Sequence, residues 1–281
     1  MTMASPASEP ERLLAGRRVL RFAGGPGAVV DRGPADLGTV PLVLLHGFGG
    51  DALSWQFNIQ ALVKGAAGFP SRRVLAVDLP GHGASTLDVP SGLGGVADWV
   101  VRLMDAAGVG RADIVGHSMG GRVSLLLAQR HPERVRRMSL IACAGLGSRV
   151  DATFLRALCD METLDQARAL IDRLFAGAPP NRDVLARAFL NRLADPGARA
   201  PLIRLLDRLI ADIHAAPPQF DWTQPLPPLQ LIWGEADDIV PPPDFGAVPP
   251  TITLHRLPGV GHMPQAQAAT QVNALLTEFH A

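Results

Sequence analysis

One serine stands between a predicted strand and a predicted helix, a setting that few folds provide. Ser118 lies in the motif Gly-His-Ser-Met-Gly, residues 116–120, after the apolar run 112–115 and before the helix-like stretch 121–128. A serine at such a junction needs a sharp, strained turn, and Gly116 and Gly120 leave room for it. The pattern predicts a nucleophile elbow, although a surface turn with the same spacing also arises by chance.

A histidine base must accompany this serine, because a serine hydroxyl is a weak nucleophile at neutral pH. In chains with an elbow of this kind the order is serine, then acid, then histidine, with each residue after a strand. Of the eight histidines, His262 fits this order best, since it follows the predicted strand 251–257. The others lie within or at the ends of predicted elements, at tight glycine turns before the acid or near the chain end, where structural roles are favoured.

The orienting acid is expected in the loop after the apolar strand 229–233. Asp237 is preferred, because the side chain three residues after Gly234 should turn back toward the strand ends. Asp238 remains an alternative, since two adjacent carboxylates cannot both face one histidine. Glu235 is expected to be a solvated loop carboxylate.

Two backbone N–H groups are expected to bind the oxyanion that develops during acyl transfer. One belongs to Met119, the residue after the nucleophile, and the other to a loop after an early strand. The run 41–45 predicts that strand, and the glycine-rich loop 46–50 after it supplies Phe48. A phosphate-binding loop is the alternative use of such glycines, but the Gly-Lys-Ser/Thr ending is missing.

Strand and helix patterns alternate along much of the chain. An antiparallel opening pair is predicted at 19–22 and 28–31, and helices are predicted at 53–64, 94–107 and 121–130. Alternation of this kind predicts an α/β fold with a mostly parallel central sheet covered by helices on both faces. The residues chosen above all follow predicted strands, where active sites of such sheets gather.

A second region, between the strand ending near residue 143 and the one beginning near residue 229, has little strand character. Apolar residues recur there at helical spacing over 151–175, 181–193 and 201–214. We therefore expect a flexible N-terminus at 1–12, a core formed by 13–146 and 223–281, and an inserted helical cap at 147–222.

The combined motifs resemble those of the α/β-hydrolase fold family. The matching stretches are 41–50, 74–85, 116–121, 231–241 and 258–264. The chain is most similar to the hydrolase-like domain of acetoin dehydrogenase dihydrolipoamide acetyltransferase components, on the basis of residues 44–51, 140–147 and 272–276. The resemblance implies that the segment 78–85, which holds Asp, His and Ser together, is a structural loop.

Two features depart from these relatives. Gln267 stands five residues after His262, where many relatives carry glutamate, which puts the local hydrogen bonding in doubt. Lys64 is the only lysine, so a lipoyl group has no evident attachment site and the resemblance is to the hydrolase portion alone. Lys64 is also the only candidate for Schiff-base chemistry, in an unpromising loop.

Charge and composition favour an enzyme of small molecules. Basic and acidic residues balance at 26 each, which argues against nucleic acid or an anionic membrane surface as a partner. The absence of a long apolar run or an export-like leader predicts a cytoplasmic protein. No cofactor is expected, and no metal site, because no Cys or His pair has ligand spacing on one element.

These expectations converge on a serine hydrolase with Ser118, Asp237 and His262 as its catalytic triad. The predicted substrate is a small, moderately apolar carboxylic ester or thioester. Alternatives within the same fold are a carbon–carbon bond hydrolase and an acyltransferase related to the acetoin dehydrogenase component, because the triad does not encode the acyl acceptor. A binding module that retains the fold without chemistry is a further alternative.

Overall fold

Short apolar runs form the buried strands in the computed structural model, which describes residues 16–35, 38–65, 71–146, 149–194, 196–215 and 221–281. Residues of β3, β4, β5 and β7 are all buried, as expected for strands covered on both faces. The strands are β1 Arg18–Phe22, β2 Gly25–Arg32, β3 Leu42–Leu45, β4 Val74–Val77, β5 Ala112–His117, β6 Val135–Ile141, β7 Leu229–Gly234 and β8 Thr253–Leu257.

These eight strands form one sheet in the order β1-β2-β4-β3-β5-β6-β7-β8. β2 is antiparallel to β1 and β4, and the remaining neighbours run parallel. Leu45 at the end of β3 pairs with Val77 on one side and Gly116 on the other. The carboxyl ends of the central strands therefore lie at one edge, and the loops that carry the predicted site residues meet there.

Helices cover both faces of this sheet. Alternate residues of β3 divide between two apolar clusters, with Val43 in one and Leu44 in the other. The first cluster includes α2 and α3, and the second includes α1 and α9. The helices are α1 Ile59–Lys64, α2 Gly92–Ala106, α3 Met119–Arg130, α4 Ala152–Asp160, α5 Leu164–Leu174, α6 Arg182–Leu193, α7 Pro196–Ala215, α8 Pro264–Gln267 and α9 Ala269–Phe279.

Four of these helices, α4 to α7, lie between β6 and β7 in the chain and are called the helical segment below. α7 packs on α2, and Arg122 of α3 pairs with Asp212 of α7 at 2.9 Å. The apolar side chains of the helical segment join the larger of the two core clusters. The segment is thus packed on the sheet domain through both apolar contacts and an ion pair.

Several helix boundaries differ from the sequence predictions, and local capping accounts for two of the differences. The stretch 151–175 forms two helices, because Thr163 and Gln166 form a capping box that begins α5. The helix predicted from residue 53 begins at Ile59, after a 3₁₀ turn at Ala52–Trp55 that is capped by Asp51. The expected flexible N-terminus at 1–12 lies outside the described residues.

Within the described ranges, no helix is both long enough and apolar enough to cross a bilayer.

Candidate active site

Ser118 connects β5 to α3 through a strained backbone. Its φ of 52° and ψ of −115° lie in a region that side chains other than glycine seldom adopt. The Ser118 N–H donates to the Ile141 carbonyl at 2.9 Å, and its carbonyl accepts from the N–H groups of Arg122 and Ala144, both at 3.2 Å. Hydrogen bonds to the neighbouring strand β6, to α3 and to the residues after β6 thus hold the strained turn in place.

The two elbow glycines are required by close backbone contacts. A Cβ atom on Gly116 would lie 2.4 Å from the Gly120 carbonyl oxygen, and one on Gly120 would lie 2.3 Å from the Leu45 carbonyl oxygen. Backbone atoms cannot move away from such a contact cheaply. Hydrogen in place of a side chain at both positions lets α3 approach β3 and β5, which presents Ser118 at the strand ends.

His262 connects the serine to a buried carboxylate. Its Nε2 atom lies 3.0 Å from the Ser118 hydroxyl oxygen, and its Nδ1 atom lies 2.7 Å from Asp237 Oδ2. An ionised carboxylate is only an acceptor, so Nδ1 carries the proton and Nε2 is left to accept from the serine hydroxyl. The three predicted residues therefore form a continuous hydrogen-bonded chain in the order needed for proton transfer from serine.

The structure distinguishes the three candidate carboxylates by their partners. The Asp237 side chain is 0% exposed, and its Oδ1 accepts from the N–H groups of Ile239 and Val240. The Asp238 side chain is 60% exposed and pairs with Arg173 at 3.0 Å. Glu235 pairs with Arg256 at 2.6 Å. Among the three, Asp237 is the carboxylate that contacts His262.

His117 has a structural contact that sequence reasoning did not identify. Its Nε2–H donates to the backbone carbonyl of His262 at 2.7 Å, although the two residues are 145 positions apart. Burial, together with the nearby His262 imidazole, holds the pKa of His117 well below its usual range. The neutral His117 ring, directly before Ser118 in the chain, is thus hydrogen-bonded to the backbone of His262.

Gln267, where many relatives carry glutamate, forms hydrogen bonds within the loop that carries His262. Its Oε1 accepts from the Gly261 N–H at 2.8 Å, and its Nε2 donates to the Gly259 carbonyl at 3.2 Å. Glutamine supplies both a donor and an acceptor, which an ionised glutamate does not. The loop that carries His262 is therefore tied together from α8.

The loop 46–51 lies beside the serine. A Cβ atom on Gly47 would be 3.1 Å from the Ser118 Cβ atom and 2.7 Å from His117 Nδ1. Among the described residues, no protein acceptor is hydrogen-bonded to the N–H of Phe48 or of Met119. Both residues are buried.

Two buried histidines hold this loop in place. His46 donates from Nδ1 to the Gly47 carbonyl at 2.7 Å and accepts from the Leu79 N–H at Nε2. His82 accepts from the Gly49 N–H at 3.1 Å and donates to the Pro80 carbonyl. Burial lowers the pKa of both rings. The Asp78 carboxylate accepts from the N–H groups of Ala52 and Ala84. Asp78 and His82, both in the segment 78–85, therefore make structural contacts.

A cavity of about 730 Å³ opens above the serine and histidine. Its walls come from both the sheet loops and the helical segment, and they are mostly apolar. The charged side chains among its described lining residues are Asp51 and Arg192, which pair with each other at 2.9 Å. Apolar side chains contributed by the helical segment include Phe154, Leu155, Leu158, Ile171, Leu174 and Phe189.

Metal-ligating side chains do not cluster in the part of the chain that the structure describes. No group of three or more His, Cys, Asp or Glu residues there is arranged to hold an ion. The chemistry that the site can perform with its own residues is proton transfer from Ser118 to His262.

Comparison with known proteins gives three consistent matches. The alpha/beta hydrolase family matches residues 42–275. The acetyltransferase component of the acetoin cleaving system of Pseudomonas putida is 35% identical over 274 residues, which cover 96% of this chain and 69% of that protein. A 2-hydroxy-6-oxononadienedioate/2-hydroxy-6-oxononatrienedioate hydrolase of Burkholderia vietnamiensis is 30% identical, with 86% of this chain and 87% of the relative covered.

A solved structure supports the same fold. A meta-cleavage product hydrolase from Pseudomonas fluorescens, complexed with acetates, is 27% identical with a TM-score of 0.73, covering 93% of this chain and 96% of that one. The chain spans 69% of the length of the acetoin-system component from Pseudomonas putida and 63% of the length of the one from Cupriavidus necator. The predicted resemblance and the predicted fold are both confirmed.

Proposed function

The chain belongs to the alpha/beta hydrolase family, and we propose that it cleaves an uncharged carboxylic ester or thioester with Ser118 as the nucleophile. The observation that carries this proposal is the hydrogen-bonded chain of Ser118, His262 and Asp237 at the base of the cavity. The chain places an acceptor nitrogen on the serine hydroxyl and a buried carboxylate behind the imidazole. This is the arrangement that activates a serine for acyl transfer.

The proposed reaction has two halves. As Ser118 Oγ attacks the acyl carbon, His262 takes its proton, and Asp237 stabilises the resulting imidazolium. The tetrahedral intermediate collapses with cleavage of the bond to the leaving oxygen or sulfur, which receives the proton from His262. Water then attacks the acyl-enzyme with His262 as base, the acid is released, and Ser118 regains its proton.

The N–H groups of Phe48 and Met119 are proposed to bind the oxyanion. Their support is the position of loop 46–51 against Ser118 and the lack of a protein acceptor for either amide among the described residues. Fixed donors of this kind stabilise the transition state more than the ground state, and loss of one costs about 2.7–4 kcal/mol in the barrier.

Residues 147–222 are proposed to act as a cap over the serine. Of the helices described within this range, α4, α5 and α6 contribute walls to the same cavity that contains Ser118 and His262. Cavity walls from an inserted segment let one sheet scaffold take different substrates without a change in the catalytic residues. The boundaries 13–146 and 223–281 for the core belong to the same proposal.

The size of the cavity supports the proposal of a larger substrate than the small ester expected from the sequence. Its volume of about 730 Å³ lies within the range of about 300–1,000 Å³ that is typical of sites for drug-sized ligands. Its lining is mostly apolar, and its two charged side chains neutralise each other. We propose a moderately apolar, uncharged ester or thioester whose acyl and leaving groups together fill this space.

The test is hydrolysis of p-nitrophenyl esters from acetate to octanoate by the wild type and by Ser118→Ala. Turnover that rises toward the longer acyl chains and is abolished in Ser118→Ala at unchanged folding is the expected result. Ser54→Ala is the matched control, because this hydroxyl also lines the cavity but contacts Asp51 rather than His262. Retained turnover in Ser118→Ala, or equal loss in Ser54→Ala, contradicts the proposal.

A second candidate is carbon–carbon bond cleavage, which the relative from Burkholderia vietnamiensis favours because the match covers 87% of its length. The name of that relative describes a dicarboxylate substrate. A free cation in the cavity would favour such a substrate, whereas here Arg192 is paired with Asp51. Serine-dependent turnover of a 2-hydroxy-6-oxo dienoate in preference to the esters would establish this candidate instead.

Acyl transfer is a third candidate, favoured by the match to the acetoin-system acetyltransferase component over 96% of the chain. The two halves of the reaction are the same, except that a thiol replaces water in the second. The partition of the acyl group between water and added dihydrolipoamide distinguishes hydrolysis from transfer. Predominant acyl-dihydrolipoamide at low millimolar acceptor would establish a transferase.

A further inference from the structure

Arg192 connects the helical segment to loop 46–51. It lies in the last turn of α6, and its guanidinium donates to the backbone carbonyl of Gly49 and to the carboxylate of Asp51, the latter at 2.9 Å. Gly49 directly follows Phe48 on the loop proposed to bind the oxyanion, and Asp51 lies two residues further along the chain. One side chain of the helical segment therefore contacts the loop at two points, 143 and 141 residues away in the chain.

The loop needs such contacts because of its composition. Three of its six residues are glycines, and Gly49 has a φ of +72°, so the loop has little intrinsic rigidity. His46 and His82 hold Gly47 and Gly49 from within the core. Apolar side chains of the helical segment also pack near this loop, but among the described hydrogen bonds and ion pairs of the loop, those of Arg192 are the ones that come from the helical segment.

The acceptor of this guanidinium is itself fixed. Asp51 accepts from the Leu53 N–H at 2.9 Å through its other oxygen, and it pairs with Arg17 at 3.1 Å. Arg17 also pairs with Asp78 at 2.8 Å, so two arginines and two aspartates form a cluster with no net charge. A planar guanidinium held at two acceptors is well suited to fix a geometry.

We propose that Arg192 is a positioning residue that keeps the Phe48 N–H directed at the oxyanion. The orientation of this N–H then depends on the position of α6 against loop 46–51. The inference rests on the proposed function. Oxyanion donors contribute because they are already in place when charge develops. When α6 moves away, Gly49 and Asp51 lose their donor from the helical segment, and the loop samples orientations in which the Phe48 N–H no longer faces the acyl oxygen.

The substitutions to compare are Arg192→Met, which removes both hydrogen bonds, and Arg192→Lys, which retains the charge and three N–H donors but lacks the planar fork of the guanidinium. Arg187→Met is the matched control, because Arg187 is exposed on the same helix and does not line the cavity. We expect kcat for the best p-nitrophenyl ester to fall by about 10- to 100-fold in Arg192→Met with KM within about threefold, a smaller loss than the removal of a donor itself.

An inhibitor separates positioning from general damage. A trifluoromethyl ketone forms a tetrahedral adduct with the serine and places an oxyanion in the site. Its Ki should therefore rise in Arg192→Met by about the same factor as kcat/KM falls. Arg192→Lys should recover part of both losses. Unchanged kcat and Ki in Arg192→Met, or a loss confined to KM for esters that carry a carboxylate, overturns the inference, the latter because it makes Arg192 a substrate ligand.

Hydrogen exchange tests the same contact without turnover. Backbone amides of 46–53 should exchange faster in Arg192→Met than in the wild type or Arg187→Met, while amides of β5 stay unchanged. Unaltered exchange overturns the inference even if the enzyme is active. Failure of the proposed function would be seen separately, because turnover and fluorophosphonate labelling would then be the same in the wild type and in Ser118→Ala.

Discussion

Asparagine in place of Asp237 tests the proposed mechanism at a single atom. The substitution keeps the side-chain shape but replaces one acceptor oxygen by an NH₂ donor. Oδ1 of Asp237 accepts from the N–H groups of Ile239 at 3.0 Å and Val240 at 2.9 Å, whereas Oδ2 faces His262. The two backbone donors require an acceptor, so the amide oxygen stays at Oδ1 and the NH₂ group turns toward His262.

This orientation reverses the tautomer of His262. Nδ1 must accept from the NH₂ group, so the neutral ring carries its proton on Nε2 and donates to Ser118 instead of accepting its proton. The same exchange in a Ser-His-Asp site costs about 10⁴-fold in kcat, which is about 5.4 kcal/mol at about 1.36 kcal/mol for each factor of ten. Stability should change little, because both backbone hydrogen bonds are retained.

The assay is kcat for the best p-nitrophenyl ester, with urea unfolding of each variant. Asp238→Asn is the control, since it makes the same chemical change at an adjacent carboxylate that pairs with Arg173 in a solvent-exposed position. Its kcat should stay within about twofold, since exposed ion pairs contribute about 0–1 kcal/mol. A kcat for Asp237→Asn within about tenfold of the wild-type value, or an equal loss of kcat in Asp238→Asn, would refute the reasoning.

Two further results are expected. Gly120→Ala should lower the free energy of unfolding by about 1–3 kcal/mol and reduce kcat, because its Cβ would lie 2.3 Å from the Leu45 carbonyl oxygen; Gly110→Ala, with open space around its Cβ, should do neither. Stability should also fall as the pH drops below about 6.5, since buried His117 stays neutral in the fold but takes up a proton on unfolding. Each such histidine adds a slope of up to about 1.4 kcal/mol per pH unit, and flat stability between pH 7 and 5 would contradict this.

Local sequence was sufficient for the elements that carry the site. The apolar runs of β3, β5 and β7 are followed by polar or glycine-rich residues, and this pattern needs no knowledge of distant contacts. Helix limits were less accurate where short-range capping decided them, as at Thr163, which divides the predicted helix 151–175. The capping residues were present in the sequence, but continuous apolar periodicity on both sides concealed the break.

The sequence by itself determined the strand–turn–helix around Ser118, the order of serine, acid and histidine, and the need for glycine at 116 and 120. Tertiary structure decided that Asp237 rather than Asp238 faces His262, that His117 holds the main chain of His262, and that Arg192 reaches loop 46–51. The physical reason is chain separation. Propensity and periodicity act over a few residues, whereas these contacts join side chains 25 to 145 positions apart and depend on how the packed helices and strands bring their ends together.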